Sequence, residues 1–198
     1  MDLIDNTNLT VQEYYVNDKL HRLDGPARII YEYNEISSEE YWINGELHRS
    51  DDKPAVIYYF KNRNIKYELY SINNKQHRSD DKPAVINYYE NGNILYEEYW
   101  INDELHRLND KPAFIEYYEN GNIQCETYTS HSKIHRLDNK PARIHYYNNG
   151  NIYMEEFFIN DQLSRENEYD PIKIIYSGDN KIKTLIYNNE QQEIVCYV

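Results

Sequence analysis

Alternating positions define short segments that are rich in β-branched and aromatic residues. In residues 113–118, Ala113, Ile115 and Tyr117 fall on every second position. The Ala-Ile-Tyr alternation occurs five times in the chain, whereas the position held by Phe114 varies between Phe, Val and Arg. A period of two predicts a β-strand. A face that stays the same between copies, opposite one that varies, predicts a sheet packed on one side and free on the other.

A longer kind of segment shows the same period of two. In residues 94–101 the positions that stay the same between copies are those of Glu97, Tyr99 and Ile101. The segment is again rich in residues that favour strands, so we expect one continuous strand over these eight positions. The region that follows, residues 102–111, is predicted to be a loop leading into the next short strand.

In three units an Asn-Gly pair separates the short segment from the next long one, and Asn62-Arg63 is a degenerate version. Asn91-Gly92 and Asn120-Gly121 are two of the three pairs. Asn-Gly between strands is the strongest short hairpin signal, because both residues tolerate the positive φ of a type I′ turn. We therefore expect tight type I′ hairpins at these pairs.

The segments belong to a tandem repeat of about 29 residues. A His-Arg pair begins at positions 21, 48, 77, 106 and 135, and Ser164-Arg165 is a degenerate sixth copy. All six prolines share one phase of this period, and five of them are followed by Ala. Chance does not align so many positions, so residues 1–198 are predicted to form a single repeat domain of six units.

Two main strands per unit predict an all-β fold. We expect an elongated antiparallel β-meander in which each unit buries its apolar face against its neighbours. The ends depart from the repeat, since Ser164 replaces His and Ile172 replaces Ala. Atypical end units are expected as caps of an open sheet edge, and the C-terminal cap is predicted at about residues 166–198, with two closing strands in 181–198.

One stretch resembles a known family. Residues 88–102 read Tyr-Tyr-Glu-Asn-Gly-Asn-Ile-Leu-Tyr-Glu-Glu-Tyr-Trp-Ile-Asn and resemble the MORN repeat variant family (membrane occupation and recognition nexus). The resemblance runs from about Tyr14 to about Asn160 and implies an elongated β-sheet scaffold for protein interaction or self-association. The His-Arg-x-Asp-x-x-Pro-Ala insert departs from the simpler hairpin repeat. The chain is also similar to repeat proteins of giant DNA viruses of amoebae, which implies a viral protein.

The net charge limits which partners the chain is expected to bind, and the cysteine content indicates its cellular compartment. The formal net charge is −13, and so acidic a surface repels phosphate backbones and anionic lipid heads. We therefore expect neither a nucleic-acid partner nor membrane insertion. Two cysteines cannot build a disulfide framework, and no apolar run approaches the length of a membrane span. The expected location is cytoplasmic, which for a viral protein means the host cytoplasm or the virion.

The recurring histidines are the first candidate for a metal site. His21, His48, His77, His106 and His135 share one phase. Two strands per unit place successive units about 10 Å apart, which is too far for neighbouring imidazoles to share a Zn²⁺ ion with bonds of about 2 Å. The residues therefore predict a loop histidine that packs the turn, and no metal or cofactor.

Recurring charges predict a structural network. The Arg phase comprises Arg22, Arg49, Arg78, Arg107, Arg136 and Arg165, and the Glu phase comprises Glu39, Glu68, Glu97, Glu126 and Glu155. A carboxylate on a packed face needs a partner, so the hypothesis is that each Arg pairs with a Glu, with the nearby Asp tying the loop. The alternative is an Arg row that grips an anionic ligand.

No set of catalytic residues stands apart from the repeat. The acids recur in every unit, whereas catalysis depends on a single constellation. The chain has no P-loop and no GxGxxG, and Cys125 occupies a strand position that holds Tyr96 in another unit. The sequence therefore predicts no enzyme activity.

Aromatic residues at varying positions are the candidate binding face. They are Trp42, Phe60, Tyr89, Trp100, Tyr118, Tyr147 and Phe158. A row of exposed aromatics would mark an interaction surface, but these rings could equally be covered by the fold. The leading hypothesis is a non-catalytic scaffold for protein–protein interaction or for self-association. A homodimer is one form that self-association would take. The alternative is a carbohydrate- or small-ligand-binding module that uses the aromatic row.

Overall fold

A computed structural model describes residues 8–167, 169–187 and 193–195 of the chain. These residues form β-strands, turns and loops, which confirms the expected all-β fold. Within these described residues, the main sheet has 14 strands. In chain order they are Leu9–Glu13, Arg28–Glu32, Glu35–Glu40, Val56–Tyr59, Ile65–Leu69, Val85–Tyr88, Ile94–Glu98, Phe114–Tyr117, Ile123–Thr127, Arg143–Tyr146, Ile152–Glu156, Lys173–Tyr176, Ile182–Ile186 and Glu193–Val195.

Strand order in the main sheet follows chain order without a crossover. Each described strand pairs antiparallel with the next, so the sheet is an elongated meander, as the alternation predicted. At a strand spacing of about 4.8 Å, the sheet extends about 60 Å along its contour. Strands Ile182–Ile186 and Glu193–Val195 pair within the region expected to hold two closing strands. The other residues between 188 and 198 lie outside the described part, and so does Cys196.

In the part of the chain that the structure describes, six short two-stranded hairpins lie at one end of the main strands. They are Tyr15–Val16 with Lys19–Leu20, Trp42–Ile43 with Glu46–Leu47, Ser71–Ile72 with Lys75–Gln76, Trp100–Ile101 with Glu104–Leu105, Thr129–Ser130 with Lys133–Ile134, and Phe158–Ile159 with Gln162–Leu163. The expectation of one strand over 94–101 was therefore wrong. The main strand ends at Glu98, because the backbone of Tyr99 bonds to Ala113 on one side and to His106 on the other.

The positions of the type I′ turns also differ from the prediction. At Asn120-Gly121 only Gly121 has a positive φ, of 87°, and its N–H donates to the Tyr118 carbonyl at 2.8 Å. The connection is therefore a turn that ends in one left-handed residue, and the strand register shifts beside it. Such a connection is longer than the two-residue type I′ turn and is also common in hairpins. Two consecutive positive φ angles occur instead at Asn102 (52°) and Asp103 (67°), in the short hairpin.

The core lies on the face that stays constant between repeats, as expected. We call it the constant face, and it carries the Ala-Ile-Tyr positions. The alanines, Ala27, Ala55, Ala84, Ala113 and Ala142, are all 0% exposed, and the isoleucines beside them are also buried. Tyr70, Ala84 and Ile86 form one cluster, against which Trp100 packs. The opposite side, called the variable face, buries Val56 and Val85 but leaves Tyr58 42% exposed.

Candidate functional site

The loop arginines are held by three kinds of contact. The guanidinium of Arg107 lies 3.6 Å from the centre of the Tyr99 ring, and its Nη1 donates to the Pro112 carbonyl at 3.4 Å. Its side chain is 14% exposed. The ring contact recurs for Arg22, Arg49, Arg78, Arg107, Arg136 and Arg165 over Tyr14, Tyr41, Tyr70, Tyr99, Tyr128 and Phe157. A cation over an aromatic face inside a partly dry loop stabilises both groups.

The third contact of Arg78, Arg107 and Arg136 is an aspartate of the preceding repeat. Asp81 accepts from Arg107 Nε at 2.7 Å and from its Nη2 at 3.2 Å, and Lys111 Nζ lies 2.5 Å from the same carboxylate. Hydrogen bonds from both cations lower the pKa of Asp81 to about 2. The same triad joins Arg78 and Lys82 to Asp52, and Arg136 and Lys140 to Asp110. We call this series the loop ladder.

The hypothesis that each loop arginine pairs with a recurring glutamate was wrong. Glu97 instead accepts the hydroxyl of Tyr117 at 2.8 Å and that of Tyr99 at 3.3 Å. Burial and this bond raise the pKa of Tyr117 above its ordinary value. Glu39, Glu68, Glu126 and Glu155 accept from Tyr59, Tyr88, Tyr146 and Tyr176 in the same way. A neutral donor thus satisfies each glutamate on the constant face.

A sequence signal for the loop ladder existed and was missed. Asp81 precedes Arg107 by 26 residues, and the same interval separates Asp52 from Arg78. Both ends of the chain depart from it. Arg22 pairs with Asp24 of its own loop at 2.8 Å, while Arg165 donates to Asn139, which stands where Asp would be.

The recurring histidines form hydrogen bonds with the backbone of their own and neighbouring hairpins. The His106 backbone N–H donates to the Tyr99 carbonyl at 2.9 Å, and its Nδ1 lies 3.2 Å from the Thr129 carbonyl. His21 Nδ1 accepts from the Asn44 N–H at 3.0 Å. Within the described residues there is no group of three His, Cys, Asp or Glu side chains placed to hold a metal ion.

Cavities lie between successive loops. One of about 190 Å³ is lined by residues 77–82 and 106–109, with Tyr99 and Trp100 on its wall. Corresponding cavities of about 150 Å³ and 320 Å³ flank it, where Ser71 and Thr129 stand in place of Trp100. Each loop thus bounds a hollow whose wall differs from repeat to repeat.

The seven candidate aromatic residues do not lie together. Trp42, Trp100 and Phe158 are in the short hairpins, whereas Phe60, Tyr89, Tyr118 and Tyr147 are in the turns at the opposite end of the main strands. All seven are half-buried. Trp100 Nε1 donates to Glu98 at 2.7 Å, and the Tyr118 hydroxyl donates to the Tyr146 carbonyl at 2.7 Å. The polar atoms of Trp100 and Tyr118 therefore form hydrogen bonds within the chain, while the faces of the rings remain partly accessible.

Side chains in the middle of the variable face differ most between repeats. Between residues 58 and 114, the Tyr58 and Tyr67 rings stack at 5.2 Å, and those of Tyr96 and Phe114 lie 5.7 Å apart. We call these four residues the aromatic patch. None of them was a sequence candidate, although their alternation with the Ala-Ile-Tyr positions could have identified them.

Farther toward the C-terminus, the variable face carries a group of charged side chains beside the apolar Met154 and Ile175. Glu156 accepts from Lys173 Nζ at 2.8 Å and from His145 Nε2 at 3.4 Å, and Arg143 Nη1 lies 3.7 Å away. These cations lower the pKa of Glu156 to about 2, with the His145 bond contributing most. Cys125 lies directly opposite His145 on the next strand. We call Cys125, Arg143, His145, Glu156 and Lys173 the polar cluster.

Comparison of the chain with family models finds no family that matches it, and a search of the curated proteins finds no relative. The described residues include no helix that is long and apolar enough to cross a membrane.

Proposed function

We propose that this chain is a non-catalytic scaffold that binds another protein surface through the variable face of its sheet. The observation that carries the proposal is a division of labour between residues. The constant face and the loop ladder repeat the same contacts in successive inner units, whereas the largest differences between side chains lie on the variable face. Differences concentrated on one surface are what a scaffold needs to recognise a particular partner.

The aromatic patch supplies the apolar part of such a surface. Tyr58 is 42% exposed and stacks on Tyr67, and Tyr67, Tyr96 and Phe114 are half-buried. Tyr and Phe are enriched at protein interfaces because they bury a large area with few rotatable bonds. Ring pairs that are already stacked lose little freedom on binding.

A second copy of the chain is the partner that best fits the aromatic patch and the polar cluster together. Arg143, Lys173 and a protonated His145 outweigh Glu156 in the polar cluster, although the whole chain carries a net charge of −13. A two-fold axis through the middle of the face would place the aromatic patch of each copy on the polar cluster of the other. Cations over aromatic rings and a self-complementary surface suit a homodimer.

Solution mass and shape test this proposal. Light scattering with small-angle X-ray scattering, over a concentration series, should show a dimer whose population rises with concentration. Replacing Tyr58 and Tyr67 with Ser should shift the equilibrium toward monomer by about tenfold or more, since interface aromatics commonly contribute over 1 kcal/mol each.

The matched control is Leu23→Ser, which changes a loop residue that is 78% exposed and should leave the equilibrium unchanged. A chain that is monomeric at every concentration would reject the second copy as partner. An equal effect of the control would reject the variable face as the interface.

A small-ligand site is the second candidate, and the cavity beside Trp100 favours it. Its volume of about 190 Å³ suits one sugar-sized group, with Trp100 and Tyr99 offering flat rings and Arg78 and Asp81 offering polar groups. Binding of neutral oligosaccharides, followed by Trp fluorescence in wild type and Trp100→Ser, tests it. Identical spectra with and without sugar in the wild type would reject this candidate.

The residues that resemble the MORN repeat variant fit the same proposal. We propose that the chain is a divergent member of that group, with the loop ladder as its own addition. The supporting observation is the meander of hairpins joined by Asn-Gly turns.

A further inference from the structure

In the part of the chain that the structure describes, the second loop has the cations of the loop ladder without its carboxylate. The Arg49 guanidinium lies 3.5 Å from the centre of the Tyr41 ring, and its Nη1 donates to the Pro54 carbonyl at 2.9 Å, as in the other loops. Neither Arg49 nor Lys53 lies within ion-pair distance of a described carboxylate. The guanidinium is therefore oriented, but its Nε and Nη2 have no acid to bind.

The backbone of the first loop explains this difference. In the later loops the acid that binds the next arginine is the second of two consecutive residues with positive φ, such as Asp51 at 62° and Asp52 at 53°. The first loop is one residue shorter between its Arg and its Pro, and none of residues 22–26, all of them described, has a positive φ. Asp24, which like Asp52 stands two residues before Pro, therefore turns back to Arg22 of its own loop at 2.8 Å.

A cavity of about 400 Å³ lies between the first and second loops. The corresponding cavity between the second and third loops is about 150 Å³. Arg49 and Lys53 lie on the wall of the larger cavity, together with Leu23, Tyr41 and Ile43. It thus combines two cations with a surface that suits a short hydrocarbon stem.

The next loop shows which chemical group cations at these positions bind. Arg78 donates from Nε and Nη2 to the two oxygens of Asp52, at 2.6 and 3.3 Å, and Lys82 Nζ donates to the same carboxylate at 2.6 Å. These bonds lower the pKa of Asp52 to about 2, so the two cations stabilise the charged form of a carboxylate. Arg49 and Lys53 stand at the same two positions of the repeat.

Positive charge exceeds negative charge on the wall of the larger cavity. Arg22, Arg49 and Lys53 are there with two acids, Asp24 and Asp51. Arg22 and Asp24 bind each other, which leaves Asp51 against two cations. A small anion is therefore attracted to this wall, although the chain as a whole carries a net charge of −13.

We propose that Arg49 and Lys53 bind a carboxylate from outside the chain, carried by a free organic acid or by an acidic side chain. The fork of the guanidinium matches the two oxygens of a planar carboxylate. A doubly charged phosphate is disfavoured because the acidic chain repels it more strongly. This inference does not depend on the proposed homodimer, because the loops lie outside the aromatic patch and the polar cluster.

An NMR titration of the full chain, labelled with ¹⁵N, tests the site with sodium butyrate. The Nε–H signal of Arg49, assigned with Arg49→Lys, should shift and saturate, with half-saturation at about 1–10 mM for one ion pair in a partly open cavity. The signals of Arg78, Arg107 and Arg136 should stay in place, because an aspartate already binds each of them.

The blocked peptide acetyl-Ala-Asp-Ala-amide distinguishes the two sources of the carboxylate. Tighter binding of the peptide than of butyrate would support an acidic side chain of a partner. Tighter binding of butyrate would support a free organic acid. Both outcomes agree with a carboxylate site at Arg49.

Three variants locate the binding energy. Lys53→Gln should weaken butyrate binding about threefold or more, because it removes one of the two cations. Lys111→Gln is the matched control, since it changes the same position two repeats later, where the lysine binds Asp81, and should leave the Arg49 response unchanged. Asp24→Asn should tighten binding about twofold, because it removes a negative charge from the cavity wall.

Four results would overturn the proposal. They are an Arg49 signal that does not move, an equal shift with neutral butyramide, an equal shift with sodium chloride, and tighter binding of inorganic phosphate than of butyrate. A response confined to Asp24→Asn would overturn it too, since Asp24 would then already occupy Arg49 in the parent chain.

Discussion

The two faces of the sheet have opposite designs, although the same strands build both. On the constant face five repeats have the same small, medium and large residues, such as Ala113, Ile115 and Tyr117, and Ala113 is 0% exposed. On the variable face the corresponding strand carries Phe114, while another repeat has Arg143 there. The constant-face alanines leave little room for larger side chains because they are fully buried. The variable face, in contrast, accommodates side chains of different size and charge.

The largest expected effect follows the loss of Arg107 from the loop ladder. Arg107→Ala should lower the free energy of unfolding by about 3 kcal/mol, because it removes a ring contact, a bidentate ion pair and packing of the aliphatic stem. Urea unfolding measures the loss.

A double-mutant cycle then separates the two possible partners of Arg107. Coupling of about 1 kcal/mol is expected between Arg107→Ala and Asp81→Ala, and less than about 0.5 kcal/mol between Arg107→Ala and Glu97→Gln. Stronger coupling to Glu97 than to Asp81 would restore the pairing that the glutamate phase suggested.

Enlarging a constant-face alanine should come next in size. Ala113→Leu is expected to cost about 2 kcal/mol, because a fully buried position has no space for three more carbon atoms. Phe114→Leu, one residue on and on the variable face, should cost less than about 1 kcal/mol. Thermal unfolding of both variants compares them, and similar losses would show that the two faces are equally constrained.

Removal of a single hydroxyl tests the tyrosine–glutamate contacts. Tyr117→Phe should cost about 1–2 kcal/mol, since it deprives the half-buried Glu97 of a donor at 2.8 Å. Tyr58→Phe changes a hydroxyl on the variable face, where Tyr58 is 42% exposed, and should be nearly neutral. Equal costs would mean that the hydroxyl bonds of the constant face add nothing to stability.

The smallest expected effect is a pH dependence that comes from the polar cluster. The His145 pKa is raised to about 9, so its stabilisation is complete below about pH 6.5 and disappears as the pH rises through 9. We expect a loss of about 1 kcal/mol across that window, because partial exposure screens the ion pair. His145→Asn should remove this part of the dependence. A parent and variant with parallel stability curves from pH 6 to pH 10 would contradict it.

The acid side has the opposite sign. The pKa of Glu156 is lowered to about 2, so its contribution is present above about pH 4.5 and is lost as the pH falls through 2. The lowered pKa of the loop-ladder aspartates, such as Asp81, also makes the protein less stable as the pH falls. Each contributes less to this loss of stability because its side chain is about two-fifths exposed.

The sequence predicted the positions of the main strands well but did not predict which side chains contact each other. Alternation identified the strand around Ile115 and its buried face, because a period of two is a local property of an extended chain. It failed at Tyr99, where a hydrogen bond to Ala113, 14 residues away, ends the main strand. It also failed at Asn120-Gly121, since an Asn-Gly pair is compatible with more than one turn and the strand register decides between them.

What the sequence by itself determined is the repeat, its two main strands and the side of each strand that packs. Those properties depend on residue periodicity, which a single chain displays without its fold. Only the tertiary structure decided that Arg107 pairs with Asp81 of the preceding repeat, that Glu97 accepts from Tyr117, and that Cys125 meets His145. These pairs join residues about 20 to 26 positions apart, and their contact depends on which strands become neighbours and in which register.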